Sequence, residues 1–184
     1  MPTKLYDEKW VRSAIAKMAL AIKPLISPNA PDAPLALIGV RTRGAEMADR
    51  VAVELRQSGA APLVGYLDPT FFRDDLRGGA GLREMLPTDI NFNLDGASVV
   101  LLDDVLLTGR SVRAAIDALF HYGRPRVIRL CVMVDRGGRE LPIQPDICGA
   151  KIECPAGGWI RVKLQATDRR PDAVYVLGEG DSEP

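Results

Sequence analysis

Histidine, cysteine and aromatic side chains are scarce in this chain of 184 residues. The one histidine, His121, lies just before Gly123 near the end of a predicted helix, where a solvent-facing role is more typical than catalysis. The three cysteines form no C-x-x-C pair, so the sequence indicates neither a metal cluster nor a disulfide framework. These scarcities argue against a zinc centre and against a small secreted fold held by disulfides.

Net charge and long apolar runs are missing as well. The 24 basic and 24 acidic residues cancel, so the chain as a whole does not attract nucleic acid. No apolar run approaches the ~20 residues of a membrane-spanning helix, and the first residues lack the apolar core of a signal peptide. We therefore expect a cytoplasmic protein without a membrane partner. Neither G-x-x-x-x-G-K-[ST] nor G-x-G-x-x-G occurs, which excludes those two phosphate-binding motifs.

What the chain does have is an alternation of apolar runs and helical patterns. With 47% hydrophobic residues, it can bury the core of one domain spanning 1–184. Continuous apolar runs are typical of parallel strands that are covered on both faces, and helices between them complete βαβ units. We therefore predict an α/β fold with a mostly parallel central sheet flanked by helices. The predicted strands are 35–40, 63–67, 99–102 and 127–134, and the predicted helices are 6–22, 45–55 and a helix after 111.

The most informative segment is 99–111, with the sequence VVLLDDVLLTGRS. Four apolar residues lead to Asp103 and Asp104, and Thr-Gly-Arg-Ser precedes a helical pattern. Adjacent carboxylates at the end of a strand suit the hydroxyls of a sugar or a Mg²⁺ ion that a phosphorylated substrate carries. A phosphate suits the N-terminus of the following helix. Asp-Asp and Thr-Gly pairs are each common in ordinary loops, but the whole combination is more specific.

This segment resembles the phosphoribosyl pyrophosphate (PRPP) motif of the type I phosphoribosyltransferases. Three further segments narrow the resemblance to the pyrimidine regulatory family, PyrR, whose members double as uracil phosphoribosyltransferases. The match extends over about 5–177. The further segments are GVRTRGAEMADRVAVEL at 39–55, FFRDDL at 71–76 and VDRGGRELPIQPDICG at 134–149.

The resemblance implies a type I phosphoribosyltransferase fold with a small hood at roughly 135–165 and a flexible β-flap. It also implies a Mg²⁺-dependent reaction in which uracil and PRPP give uridine monophosphate (UMP) and pyrophosphate. The family associates as dimers and higher assemblies, so a homodimer or a higher homo-oligomer is expected. Hypoxanthine or orotate is a weaker alternative to uracil, because the hood segment resembles PyrR.

The resemblance also assigns roles to individual residues. Asp103, Asp104, Arg43 and Arg73 are the catalytic candidates, with Asp103 and Asp104 reaching the metal indirectly through PRPP-bound Mg²⁺. Arg136 and Ile160 are the candidates for holding the base. The implied PRPP and nucleotide contacts are Thr42, Arg43, Gly44, Asp103, Asp104, Val105, Leu106, Leu107, Thr108, Gly109, Arg110 and Ser111.

Three of these assignments have plain structural alternatives. The Arg41–Gly44 loop suits pyrophosphate through charge-assisted and backbone hydrogen bonds, but it is equally typical of a solvated βα loop. The predicted flap, 65–92, has glycines and arginines at 77–83 that are typical of a lid, and also of an ordinary hairpin. Arg139 and Glu140 belong to the segment at 134–149 that resembles the family, and they are also compatible with a charged turn.

The family's second function, binding of attenuator RNA with UMP and PRPP as effectors, is the alternative hypothesis. Its RNA surface uses basic and hydroxyl residues on the first helix and the hood, and this chain departs from that pattern. The expected residues are replaced by Ala16, Leu20, Gly138, Gln144 and Ala150. RNA is therefore a partner that the resemblance implies but these five positions argue against.

Overall fold

A computed structural model describes residues 1–25, 34–74, 86–155 and 157–184. Within these ranges the chain forms eight strands and four α-helices. They are β1 (Thr3–Tyr6), α1 (Glu8–Ile22), β2 (Leu35–Val40), α2 (Arg43–Gln57), β3 (Leu63–Leu67), β4 (Ser98–Leu106), α3 (Arg110–Leu119), β5 (Val127–Asp135), β6 (Ile147–Lys151), β7 (Trp159–Lys163), α4 (Gln165–Asp168) and β8 (Ala173–Leu177).

Five strands form a parallel sheet in the order β3-β2-β4-β5-β6. The strands β2 and β4 are neighbours, with Leu35 opposite Ser98 and Gly39 opposite Leu102. Every residue of β2 is buried, as its continuous apolar run predicts. Because the carboxyl ends of parallel strands meet at one edge of a sheet, the loops after β2 and β4 open into the same crevice.

Apolar layers cover both faces of this sheet. Side chains alternate along each strand, so Leu37 of β2 belongs to one layer and Ile38 to the other. The first layer is completed by α1 and α2 through residues such as Met18 and Val51. The second is completed by α3, for example through Ala115. The crevice loops are therefore attached to a frame that is packed on both sides.

A second, antiparallel sheet has the strand order β1-β8-β7. The range 135–165, where the sequence predicts the hood, contributes strands to both sheets. Up to residue 151 that range contains β6, which pairs in parallel with β5 and extends the main sheet. The small sheet instead takes strands from both ends of the chain, since Thr3 pairs with Val176. No local sequence pattern carries the information for such a distant pairing.

The predicted strands at 35–40 and 63–67 are confirmed with those bounds. The strand β4 does not end at 102 but continues to Leu106, because β5 still pairs with it at Val105. Asp103 and Asp104 therefore lie within the strand. The glycines and arginines at 77–83 of the predicted flap lie outside the described residues. None of the helices in the described ranges combines the length and hydropathy that a membrane crossing requires.

Candidate active site

The loops after β2 and β4 border a cavity of about 390 Å³ at the carboxyl edge of the main sheet. Ile160 and Arg161 of β7 line another wall, and Asp68, which follows β3, lines a third. Both predicted ligand loops and one candidate for base binding therefore face a common space. The predicted residues that line it are Thr42, Arg43, Arg73, Asp103, Asp104, Val105, Leu107, Ser111 and Ile160.

The turn from β2 into α2 depends on two glycines. A Cβ atom on Gly39 would lie 2.4 Å from the carbonyl oxygen of Gly44, and one on Gly44 would lie 2.3 Å from that of Leu102. A larger residue would displace the backbone at either position. The peptide bond between Arg41 and Thr42 is cis. The close approach of Gly44 to Leu102 places the first turn of α2 against β4. The backbone N–H groups of this turn suit an anion.

Arg43, the first residue of α2, is held by a carboxylate far away in the sequence. Its Nε and Nη2 donate to the two oxygens of Asp168 at 3.0 and 2.6 Å. Its Nη1 lies 3.9 Å from Asp104 Oδ2. Burial opposes the charge, but the hydrogen bonds that Arg43 donates to Asp168 and the negative charge of Asp104 outweigh it, so the pKa of Arg43 is raised. Arg43 is thus a fixed cation between two carboxylates.

The acidic pair on β4 combines one buried and one more accessible carboxylate. Asp103 is only 9% exposed, and its Oδ1 accepts a hydrogen bond from the backbone N–H of Asp104 at 3.0 Å. Burial, and secondly the adjacent charge of Asp104, raise the pKa of Asp103 well above its usual value. A carboxylate in this position gains from a ligand that donates hydrogen bonds to it or neutralises it.

Residues 107–111 turn the chain from β4 into α3. Gly109, at the N-cap of α3, has a φ of 91°, a conformation that favours glycine. Thr108 Oγ1 accepts a hydrogen bond from the backbone N–H of Arg110 at 3.2 Å. Because a glycine N-cap offers no side chain to the first turn, the N–H groups at the start of α3 can bind an anion. Ser111 completes this loop on the cavity side.

Comparison with known proteins agrees with this geometry. The sequence profile described as "Phosphoribosyl transferase domain" matches residues 7–162. A Bifunctional protein PyrR from Synechococcus sp. is 50% identical over 146 residues, covering 77% of this chain and 78% of that protein. Another from Roseiflexus sp. is 41% identical over 179 residues, covering 95% and 94%. The chain belongs to the PyrR family.

Solved structures show the same fold at much lower identity. A hypoxanthine phosphoribosyltransferase from Trypanosoma cruzi has a TM-score of 0.73 and 20% identity, covering 96% of this chain and 95% of that one. A hypoxanthine-guanine phosphoribosyltransferase from Bacillus anthracis has a TM-score of 0.68 and 14% identity, covering 95% and 96%. The predicted type I phosphoribosyltransferase fold is therefore confirmed for this member of the PyrR family.

The segment after β5 in this PyrR-family chain supports the loop at 107–111. Arg139 Nη1 donates to the carbonyl oxygen of Leu107 at 3.0 Å, and its Nη2 donates to Asp135 Oδ1 at 2.6 Å. The backbone N–H of Glu140 donates to the carbonyl oxygen of Thr108 at 3.0 Å. Arg139 and Glu140 are therefore more than a charged turn, because they fix the loop through its backbone.

The two candidates for base binding are not brought together. Ile160 lines the cavity, whereas Arg136 lies in a neighbouring pocket with Lys151 and Glu153. Arg136 donates from Nη2 to the carbonyl oxygen of Gly158. It therefore connects the end of β5 to the residue before β7, and Ile160 provides the apolar wall of the cavity.

The remaining predicted contacts do not themselves line the cavity. Gly44, Leu106, Thr108 and Gly109 shape the two loops through their backbone. The guanidinium of Arg110 pairs with Glu140 at 2.6 Å and with Asp74 at 2.8 Å.

Arg73 does line the cavity. Its positive charge acts to lower the pKa of Asp103, a smaller effect than the burial that raises it.

Two acidic residues of the site were not predicted from the sequence. Asp68 accepts hydrogen bonds from the backbone N–H groups of Thr70 at 2.9 Å and Leu86 at 2.7 Å, so it joins the two described ends of the flap segment. Burial opposes its charge, but these hydrogen bonds lower the pKa of Asp68. Its position directly after β3 was a signal that could have identified it. Asp168 had no such signal, since 125 positions separate it from Arg43.

Proposed function

We propose that this protein transfers the phosphoribosyl group of PRPP to uracil, forming UMP and pyrophosphate. The observation that carries the proposal is the convergence of Arg43, the acidic pair and the loop at 107–111 on one cavity. An anionic sugar with charged groups at both ends matches this distribution of donors and acceptors. Membership of the PyrR family supports uracil as the base.

Each part of the site has a role in this reaction. Asp103 and Asp104 accept hydrogen bonds from the ribose hydroxyls. The 5′-phosphate binds the N–H groups at the start of α3 together with Thr108 and Ser111. The pyrophosphate binds the loop after β2, where Arg43 provides the charge.

The chemistry is a substitution at C1 of the ribose. The bond from uracil N1 to C1 forms as the bond from C1 to the pyrophosphate oxygen breaks, and the N1 proton passes to solvent. Positive charge accumulates on the ribose and negative charge on the leaving pyrophosphate. In this scheme Asp104 stabilises the first charge and Arg43 stabilises the second. Positioning and electrostatic stabilisation account for the rate in this scheme.

The acidic pair also fits a magnesium ion that the substrate carries. Within the described ranges, no three His, Cys, Asp or Glu side chains gather in a way that would hold a metal by themselves. Mg²⁺ commonly keeps several waters and binds through one or two carboxylates plus substrate phosphates. Asp103 and Asp104 would hold it here. When bound, the ion neutralises charge on the pyrophosphate.

The direct test is turnover of labelled uracil with PRPP and Mg²⁺. We expect labelled UMP from the wild-type protein, and much less product when orotate or hypoxanthine replaces uracil. The double variant Asp103→Asn/Asp104→Asn is the matched negative control. Absence of product from neutral to alkaline pH would contradict the proposal, and a clear preference for another base would correct its substrate.

RNA binding is not part of the proposed function. Leu20, at a position where the family resemblance implies a polar residue, is 68% exposed on α1. Gly138 and Ala150 place no donor side chain at two further positions of that surface. A gel-shift assay with leader RNA of pyrimidine genes tests this view. Sequence-specific, salt-sensitive binding would restore the regulatory hypothesis.

A further inference from the structure

Asp168 occupies the end of α4, a short turn between β7 and β8, and is fixed by several donors. Its side chain is 8% exposed and accepts the two hydrogen bonds from Arg43. Its Oδ2 also accepts the backbone N–H of Leu164 at 2.9 Å, and Lys163 Nζ lies 3.6 Å from Oδ1. A carboxylate held in this way presents a rigid two-pronged acceptor to a guanidinium.

The pairing with Asp168 determines which nitrogen atom of Arg43 is directed toward the acidic pair. Nε and Nη2 are directed to Asp168, and Nη1 is left on the side of the acidic pair. The 3.9 Å from Nη1 to Asp104 Oδ2 is longer than a hydrogen bond. Arg43 thus lies close to Asp104 without donating a hydrogen bond to it.

Without Asp168, the nearest carboxylate to Arg43 would be Asp104. The attraction between opposite charges at this separation is stronger at a partly buried site than in water. Arg43 would then move onto Asp104, and one cation and one anion of the site would cancel. Burial opposes the charge of Asp168, but the hydrogen bond from Arg43 lowers its pKa, so this counter-ion stays ionised at neutral pH.

We infer that Asp168 is a positioning residue for PRPP: it holds Arg43 away from Asp104 with Nη1 directed at the pyrophosphate group. The inference rests on the proposed function, since it assigns the pyrophosphate to Arg43. Asp168 does not line the cavity, so its inferred effect on PRPP passes through Arg43. Its removal should therefore weaken PRPP binding and leave uracil binding unchanged.

The chain contains a matched control in the pair Arg50–Asp172. Arg50 also lies on α2 and donates from both terminal nitrogens to the two oxygens of Asp172. Asp172 is 6% exposed and accepts the backbone N–H of Gln165, so it is as buried and as connected as Asp168. Neither Arg50 nor Asp172 lines the cavity. Breaking this pair removes a comparable buried ion pair in which Arg43 takes no part.

The experiment compares Asp168→Asn with Asp172→Asn in the full-length protein. For each we measure the melting temperature, the steady-state constants for PRPP and uracil, and calorimetric binding of PRPP with Mg²⁺. We expect both variants to lose similar stability. Only Asp168→Asn should raise the KM and Kd for PRPP, by about tenfold, which corresponds to about 1.4 kcal/mol. The KM for uracil should stay the same.

A second pair of variants tests whether Asp168 acts through Arg43. In an Arg43→Gln background, Asp168→Asn should change the Kd for PRPP by less than about twofold, because the interaction it serves is already gone. An undiminished tenfold effect in that background would overturn the inference. So would an unchanged Kd in Asp168→Asn alone.

Two further outcomes keep the test decisive. If Asp168→Asn does not fold, Asp168→Glu retains the charge but shifts the carboxylate, and it should raise the Kd for PRPP by less than about tenfold. An unchanged Kd in Asp168→Glu would then count against positioning. If the wild-type protein neither binds PRPP nor forms UMP, the proposed function itself fails, which is a distinct result.

Discussion

The two loops that meet at the cavity are held in different ways. The loop at 107–111 is held through its backbone, since the carbonyl oxygens of Leu107 and Thr108 accept hydrogen bonds from Arg139 and Glu140. The loop after β2 has a backbone hydrogen bond, from the N–H of Arg41 to the carbonyl oxygen of Leu67, but its cation Arg43 is held through the side chain, by the ion pair with Asp168. The first support comes from the next strand along the sheet, and the second from near the end of the chain.

This difference separates a fixed part of the site from an adjustable one. We expect the hydrogen bonds to the backbone carbonyls of Leu107 and Thr108 to keep the loop at 107–111 in place when a ligand binds. The position of Arg43 depends instead on the competing attractions of Asp168 and Asp104. Ligand charge, salt and mutation all alter the balance between these attractions. We therefore expect changes near Arg139 to affect stability first, and changes near Arg43 to affect pyrophosphate binding first.

The largest expected effect comes from the acidic pair, which both loops face. Asp103→Asn/Asp104→Asn keeps the size of both side chains but removes the charge to which we assign stabilisation of the ribose in the transition state. We expect kcat to fall by about 10²–10³-fold or more, with a retained far-ultraviolet circular dichroism spectrum. Turnover close to the wild-type rate would show that the pair has no catalytic role.

Loss of the contacts that Arg139 makes with the loop at 107–111 should have the next largest effect. Arg139→Ala leaves Asp135 buried without its cation and removes a donor to Leu107, so we expect a loss of about 3–5 kcal/mol in the free energy of unfolding. Urea denaturation measures it. Arg129→Ala breaks a more exposed pair with Asp146 and should cost less than about 1 kcal/mol. Equal losses in the two variants would contradict a supporting role for Arg139.

The same contrast explains what the sequence could and could not predict. The loop at 107–111 follows a local order of strand, acidic pair, glycine turn and helix, so residues 99–111 were sufficient to predict that order. The edge strand β6 and the β1–β8 pairing were missed because they depend on neighbours that only the folded chain supplies. Asp168 was missed for the same reason: its partner Arg43 is distant in sequence, and a lone aspartate near Arg169 and Arg170 carries no pattern.

A smaller effect concerns stability against pH. Since burial raises the pKa of Asp103 in the folded state above the ~3.9 of the unfolded chain, its ionisation destabilises the fold. The penalty is absent below the unfolded pKa and complete above the folded one. Asp103→Asn should therefore gain about 0.5–2 kcal/mol over the wild type at neutral pH, and this gain should vanish near pH 3. Thermal melts across that range measure it, and a gain independent of pH would contradict this origin.

The smallest expected effect tests how adjustable the loop after β2 is. Glu183 pairs with Arg161, which lines the cavity, and lies 3.6 Å from Lys163 Nζ. Its charge also contributes to the raised pKa of Arg43. Because Glu183 is 57% exposed, Glu183→Gln should tighten pyrophosphate binding only about twofold at low salt, and not at all at high salt. Binding of UMP, whose 5′-phosphate we assign to the loop at 107–111, should not change. If UMP and pyrophosphate affinities shifted equally, the charge of Glu183 would act on the whole cavity, and the distinction between the two loops would be wrong.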